Sequence, residues 1–60
     1  MARYRVYNLE GFKLLRIGEI EAEADEEAVE IARRHGTGDH VEIWQGNRKV
    51  RVVAPAAAQD

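Results

Sequence analysis

The feature that constrains the fold most is Gly46-Asn47, which stands between two short runs of alternating character. A glycine-containing pair between such runs is typical of a two-residue β-hairpin loop. The pair therefore predicts strands over residues 40–45 and 48–53. In the register set by this turn, one face of the hairpin carries only β-branched side chains, namely those of Val41, Ile43, Val50 and Val52.

The other face of this hairpin holds Trp44, the single tryptophan of the chain. The predicted register pairs Trp44 with Lys49 and Glu42 with Arg51. Because successive strand residues point to opposite faces, Trp44 is out of phase with Ile43 and points away from any helix that covers Ile43. Two interpretations follow: Trp44 lies in an interface with another molecule, or it lies at a sheet edge over the stem of Lys49.

A first hairpin is predicted from residues 3–9 and 12–23, which are rich in aromatic and β-branched types. Glu10-Gly11 reads as its two-residue turn, which pairs Leu9 with Phe12. Continuing this register gives an inner face of Tyr4, Val6, Leu15 and Ile17.

The same register places Arg5 opposite Arg16, and like charges directly opposite each other destabilise a sheet. After Ile17 the alternation changes phase, so that Ile20 becomes inward-facing. Gly18 is therefore the expected position of a β-bulge.

One amphipathic helix is predicted between the hairpins, over the segment EEAVEIARRH. Asp25 is a suitable N-cap and Gly36 a suitable stop. Acidic residues crowd the first turn and basic residues the last, which complements the helix dipole. The apolar stripe is Ala24, Ala28, Ile31, Ala32 and His35.

The element order ββαββ predicts an α+β fold, with a four-stranded antiparallel sheet and one helix packed on one face. Residues 1–53 form the single domain, and residues 54–60 are expected to be a flexible tail. The predicted inner core is Tyr4, Val6, Leu15, Ile17, Ile20, Ala28, Ile31, Ala32, Val41, Ile43, Val50 and Val52.

The pattern resembles a group of short uncharacterised bacterial proteins, over roughly residues 4–53. The shared segments are Tyr4-Arg5-Val6-Tyr7, Glu10-Gly11, Asp25-Glu26-Glu27-Ala28, Ala32-Arg33-Arg34 and Glu42-Ile43-Trp44-Gln45-Gly46-Asn47-Arg48. Asn8 departs from the pattern, because an apolar residue is expected there. The resemblance implies a fold and brings no activity, substrate or cofactor with it.

Length and composition restrict how such a domain is stabilised. The chain has 60 residues and no cysteine, so disulfides and thiolate metal sites are excluded and the core is small. Oligomerisation is the remaining common means of stabilisation. No run approaches the length of a membrane span, and the first residues lack the apolar core of a signal peptide, so we predict a cytoplasmic protein.

The sequence offers little catalytic chemistry. Serine and cysteine are absent, and the single threonine, Thr37, lies between two glycines. His35 and His40 flank a loop that contains Asp39, which allows a weak metal site, although helix capping and solvent exposure explain both imidazoles. We therefore predict no enzyme, no cofactor and no metal site.

The sheet face away from the helix is the predicted interaction surface. Its residues are Tyr7, Leu9, Phe12, Leu14, Trp44, Lys49 and Arg51. An apolar patch of this size on a small domain is typical of a surface that another molecule covers. A homodimer is the first hypothesis and another protein partner the second. A third is single-stranded nucleic acid stacked on the aromatic residues. The net charge of −2 argues against bulk electrostatic binding to nucleic acid, and Glu42 and Glu19 on or near this face weaken the hypothesis.

Overall fold

The computed structural model describes residues 1–56, which form a sheet layer and a helix layer. The elements are β1 (Ala2–Glu10), β2 (Lys13–Ala22), α1 (Asp25–His35), β3 (His40–Gln45) and β4 (Arg48–Val53). All strand pairs are antiparallel, in the order β2-β1-β3-β4. The predicted α+β fold with the order ββαββ is confirmed.

Both hairpins turn on a glycine at the first loop position. Gly11 has φ +61° and Gly46 has φ +60°, whereas no non-glycine residue of the described chain has a positive φ. These signs are those of a type II′ turn, which needs a positive φ at its first central residue alone. Gly46-Asn47 is the predicted turn. The first turn is Gly11-Phe12 rather than Glu10-Gly11, because Glu10 pairs with Lys13.

The predicted register of β1 with β2 is wrong. Arg5 lies opposite Glu19, not opposite Arg16, so the unfavourable arginine pair does not form. The phase change comes from a bulge at Leu15, between the pairs Leu9–Leu14 and Asn8–Arg16, rather than at Gly18.

This earlier bulge moves two predicted core residues outward. Ile17 lies opposite Tyr7 on the face away from α1 and is 51% exposed, and Leu15 is 40% exposed. Ile20, which follows the phase change in both registers, packs against the core as expected.

A second bulge, at Val50, corrects the register of β3 with β4. Arg51 lies opposite Ile43 and Val52 lies opposite Glu42. Val52 is therefore 45% exposed on the face away from α1, instead of being in the core. Arg51 lies on the helix side, where its guanidinium is 3.4 Å from the carboxylate of Glu26.

The core between sheet and helix is built mainly from small side chains. Its buried members are Tyr4, Val6, Ala22, Ala28, Val29, Ala32, Val41 and Ile43. Ala22 and Val29 were not predicted. Ile31 and Val50 pack against this core in partly buried positions. Small residues let the helix lie close to the sheet, so a short helix suffices to cover it.

A polar clasp ties the start of α1 to the sheet. The hydroxyl of Tyr4 donates to Asp25 Oδ1 at 2.8 Å, and the guanidinium of Arg48 donates to both carboxylate oxygens of Asp25 at 3.1 and 3.2 Å. Asp25 is the first residue of α1 and the N-cap is Ala24, without a side-chain cap. The predicted capping role of Asp25 is therefore wrong, because its carboxylate is used across the fold.

Asn8, which departs from the apolar pattern, fixes the loop that follows α1. Its side chain is buried, accepts from the Thr37 N–H at 3.0 Å and donates to the Arg16 carbonyl at 3.2 Å. Gly38, in the same loop, has φ +83°, and a Cβ at this position would lie 2.2 Å from the Leu9 carbonyl oxygen.

The segment after β4 is described in part. Pro55 is fully buried, and residues 57–60 of the predicted tail lie outside the described residues.

Candidate interaction surface

The side chains that point away from α1 form a surface that we call the open face. They alternate with the buried residues of the same strands and follow from the pairing registers. They are Arg3, Arg5, Tyr7, Leu9, Leu14, Ile17, Glu19, Glu21, His40, Glu42, Trp44, Lys49 and Val52.

Three rows of this face run across the sheet, two of them from β2 to β4 and the third from β2 to β3. The charged row is Glu19, Arg5, Trp44 and Lys49. The mixed row is Ile17, Tyr7, Glu42 and Val52. The apolar row is Leu14, Leu9 and His40. Neighbours in a row are about 5 Å apart, the spacing of hydrogen-bonded strands.

Trp44 lies half-buried in the middle of the open face and points away from α1, as predicted. The centroid of the Tyr7 ring is 6.4 Å from that of Trp44, at an interplanar angle of 61°. Lys49 Nζ lies 5.6 Å from the Trp44 ring centroid, and Trp44 Nε1 donates to the Glu42 carboxylate at 3.1 Å. The indole N–H is satisfied within the chain, while part of the ring remains open to a partner.

The charges of the open face are balanced. Arg3 and Glu21 form one exposed ion pair, and Arg5 and Glu19 form another, each at 3.6 Å. The pKa of Arg5 is raised, first by its hydrogen-bonding neighbour Tyr7 and then by the nearby Glu19. With Lys49 and Glu42 added, three cationic side chains face three carboxylates.

The end of the face near the first turn is apolar and exposed. Leu14 is 49% exposed beside the half-buried Leu9, and Ile17 lies beside the half-buried Tyr7. Val52 lies on β4, beside Glu42. Phe12, in the turn itself, is fully exposed. Contiguous apolar surface of this kind, bordered by charged residues, is typical of a protein contact site.

The structure brings most predicted surface residues together. Tyr7, Leu9, Leu14, Trp44 and Lys49 lie on the open face, and Phe12 lies at the tip of the first hairpin. Arg51 does not, because the bulge at Val50 turns it toward Glu26. Ile17 and Val52 are the apolar members that the predicted registers placed on the wrong side.

The sequence allowed a weak metal site at His35, His40 and Asp39, and the structure shows Asp39 and His40 in other contacts. The Asp39 carboxylate contacts Nδ1 of His40 and accepts from the Gly11 N–H at 2.8 Å. These two contacts, that of His40 first, lower the pKa of Asp39. Within residues 1–56, no group of three His, Asp or Glu side chains is arranged to hold a metal ion.

Concave regions border the sheet. A groove of about 420 Å³ opens between Arg3, Arg5 and Tyr7 of β1 and the Gly46-Asn47 turn. A cleft of about 170 Å³ lies between β2 and α1, beneath Gly18 and against Ile31 and Ala32.

Comparison of this chain with protein-family models, with curated proteins and with solved structures gave no match. The resemblance to short bacterial ββαββ proteins therefore stays a prediction. In the described part of the chain, no helix has the length and apolar character needed to cross a membrane.

Proposed function

We propose that this chain is a non-enzymatic module that self-associates through the open face. The observation that carries the proposal is the placement of large apolar side chains. Ile17, Leu14 and Val52 are about half exposed around Trp44 and Tyr7, on the side of the sheet away from α1. Covering this surface removes apolar area from water, which is the main favourable term in association.

The small core gives the chain a reason to associate. A 60-residue domain buries a low fraction of its surface, and here alanine and valine supply six of the eight buried hydrophobic residues. A partner that covers Trp44 and Ile17 adds the burial of large apolar side chains to that of this small core.

The charges favour a protein surface over nucleic acid. Single-stranded nucleic acid needs a net positive groove along its backbone. Arg3 and Arg5 are matched by carboxylates, Glu42 lies beside Trp44, and Arg51 faces the helix. A different protein remains the alternative partner, and the absence of cysteine agrees with the cytoplasmic location that we propose.

Sedimentation equilibrium tests self-association. We expect the apparent mass to rise with concentration from 6.8 kDa toward twice that value. Ile17→Ser removes a 51% exposed apolar side chain from the β2 side of the open face and lowers the dimer affinity. Arg34→Ser, on the exposed side of α1, is the control and leaves the affinity unchanged. A mass that stays at 6.8 kDa up to high micromolar protein contradicts the proposal.

A further inference from the structure

We infer that two copies stack about a two-fold axis that runs parallel to the strands, between β1 and β3. Glu19 of each copy then lies opposite Lys49 of the other. This arrangement rests on the proposed self-association and states which residues meet within it. It follows from the order of side chains across the open face.

The symmetry operation determines the contacts. Such an axis turns the second sheet over, keeps its strand direction and reverses its lateral order, so that β1 faces β3 and β2 faces β4 of the second copy. Each row of the open face therefore meets the same row in reverse. Contacts come in equal pairs, as in any two-fold interface.

The charged row is self-complementary under this operation. Read from β2 to β4 it is Glu19, Arg5, Trp44 and Lys49. In reverse, Glu19 meets Lys49 as an ion pair, and Arg5 meets the ring of Trp44 as a cation–π contact. Sheets that stack face to face lie about 10 Å apart, which these long side chains span from both sides.

The other two rows also match. In the mixed row Ile17 meets Val52, and the Tyr7 hydroxyl faces the Glu42 carboxylate, to which it can donate. In the apolar row Leu9 meets His40. Ile17, Val52 and Leu9 thus meet apolar side chains or an imidazole, whereas Leu14 faces the position that follows the end of β4. Each charged residue of the two longer rows meets an opposite charge, an aromatic ring or a donor.

Other placements of a two-fold axis fit worse. An axis that runs across the strands, between the charged and the mixed row, places these two rows opposite each other, so that Glu19 meets Ile17. An axis across the strands at the mixed row places Glu42 opposite Glu42 of the second copy. An axis parallel to the strands and directly over β1 places Arg5 of one copy opposite Arg5 of the other. An axis between β2 and β1 avoids like charges but leaves β3, β4 and Lys49 outside the contact.

The contact between Glu19 and Lys49 can arise only between copies. The two residues lie on the outer strands β2 and β4, three strand spacings apart. This distance is about 14 Å within one chain, beyond the reach of a direct ion pair. Any coupling measured between the two residues in association therefore reports on the interface.

A charge-reversal cycle measured by sedimentation equilibrium tests the arrangement. Glu19→Lys and Lys49→Glu each place like charges opposite one another at two symmetric positions. We expect each single change to weaken dimerisation by about tenfold or more. We expect the double variant, which restores opposite charges, to return to within about threefold of the wild type. Far-ultraviolet circular dichroism checks that every variant is folded.

Glu21→Lys is the matched control. Glu21 forms an exposed ion pair with Arg3 at 3.6 Å, the same length as the pair of Glu19 with Arg5. In the inferred arrangement Glu21 lies beyond the charged row and meets no lysine or arginine, so we expect its reversal to leave the affinity within about threefold of the wild type.

The outcomes separate the two proposals. A wild-type dimer whose double variant is as weak as the two single effects combined overturns this arrangement and leaves self-association standing. Weakening by Glu21→Lys equal to that by Glu19→Lys overturns it as well. A wild-type chain that remains a monomer contradicts the proposed self-association itself.

Discussion

The two faces of the sheet differ in how far their apolar side chains are buried. On the helix-covered face Ile43 is fully buried, in a core to which α1 contributes small residues such as Ala28, and Gly18 leaves a cleft. On the open face Ile17 is 51% exposed and Trp44 is half-buried. The apolar side chains of the open face therefore lie where another molecule can bury them.

We expect an isoleucine-to-alanine substitution to lower the stability of the monomer on the helix-covered face and to weaken dimerisation on the open face. Ile43→Ala removes a fully buried side chain and is expected to lower the free energy of unfolding by about 2–5 kcal/mol. Ile17→Ala is expected to cost less than about 1 kcal/mol in the monomer, because Ile17 is 51% exposed, and to weaken dimerisation instead.

Urea denaturation at low micromolar protein measures the first effect, and sedimentation at high protein concentration measures the second. Equal losses of monomer stability for the two variants would show that the open face is as buried in the monomer as the core.

The polar clasp on the helix side predicts a loss of stability in acid. The pKa of Asp25 is lowered by hydrogen bonds from Arg48 and Tyr4, while the pKa of Tyr4 is raised by its bond to Asp25. The folded state therefore takes up the Asp25 proton at lower pH than the unfolded chain does. The contribution of the lowered Asp25 pKa to the free energy of unfolding is complete above the ordinary pKa of about 3.9, and it is lost as the pH falls through the lower pKa of the folded state.

Asp25→Asn tests the clasp. We expect the variant to be less stable than the wild type near neutral pH, and the difference to narrow as the pH falls below about 4. Urea midpoints over this range provide the measurement, with Asp39→Asn as the comparison, because the pKa of Asp39 is also lowered. If the difference in stability between the wild type and Asp25→Asn stays constant down to about pH 2.5, the Asp25 carboxylate is not its source.

Gly18 offers the smallest predicted effect, with the opposite sign. A Cβ at Gly18 meets nothing within 4 Å, and its φ is not in the left-handed region. Gly18→Ala is therefore expected to stabilise the chain by about 0.4–1 kcal/mol, because it restricts the unfolded state.

Gly46→Ala is the control for Gly18→Ala. It also has free space, but its φ of +60° strains an alanine, so we expect it to destabilise the chain. If both substitutions stabilise the chain, backbone conformation is not what separates these glycines.

The sequence predicts the elements and the second turn because their signals are local. Gly46-Asn47 indicates a hairpin without reference to the rest of the chain, and the phase of Val41 and Ile43 follows from it. The pairing of Trp44 with Lys49 lies next to this turn and is confirmed, as is the outward direction of Trp44.

The bulges are what the sequence does not reveal. Leu14, Leu15 and Ile17 are all apolar, so either phase of β2 gives an apolar face, and the same holds for Val52 and Val53 in β4. The choice is made by long-range contacts, such as the bonds of Asn8 to Arg16 and Thr37. The predicted clash of Arg5 with Arg16 was the signal that the register was wrong.

These two bulges also explain the errors in the candidate surface. A shift of one residue exchanges the faces, so Ile17 and Val52 were predicted inside and Arg51 outside. The members closest to the turns, Trp44 and Lys49, were placed correctly because few residues separate them from a turn.

The most direct test of the central claim is an isotope-filtered nuclear Overhauser measurement on a mixture of labelled and unlabelled chains. It detects only methyl contacts between copies. We expect cross-peaks from Ile17 of one copy to Val52 of the other, and none from Ile43, which is buried beneath α1. Cross-peaks confined to Ile31 and other helix-side methyl groups, in a sample whose mass is doubled, would contradict it.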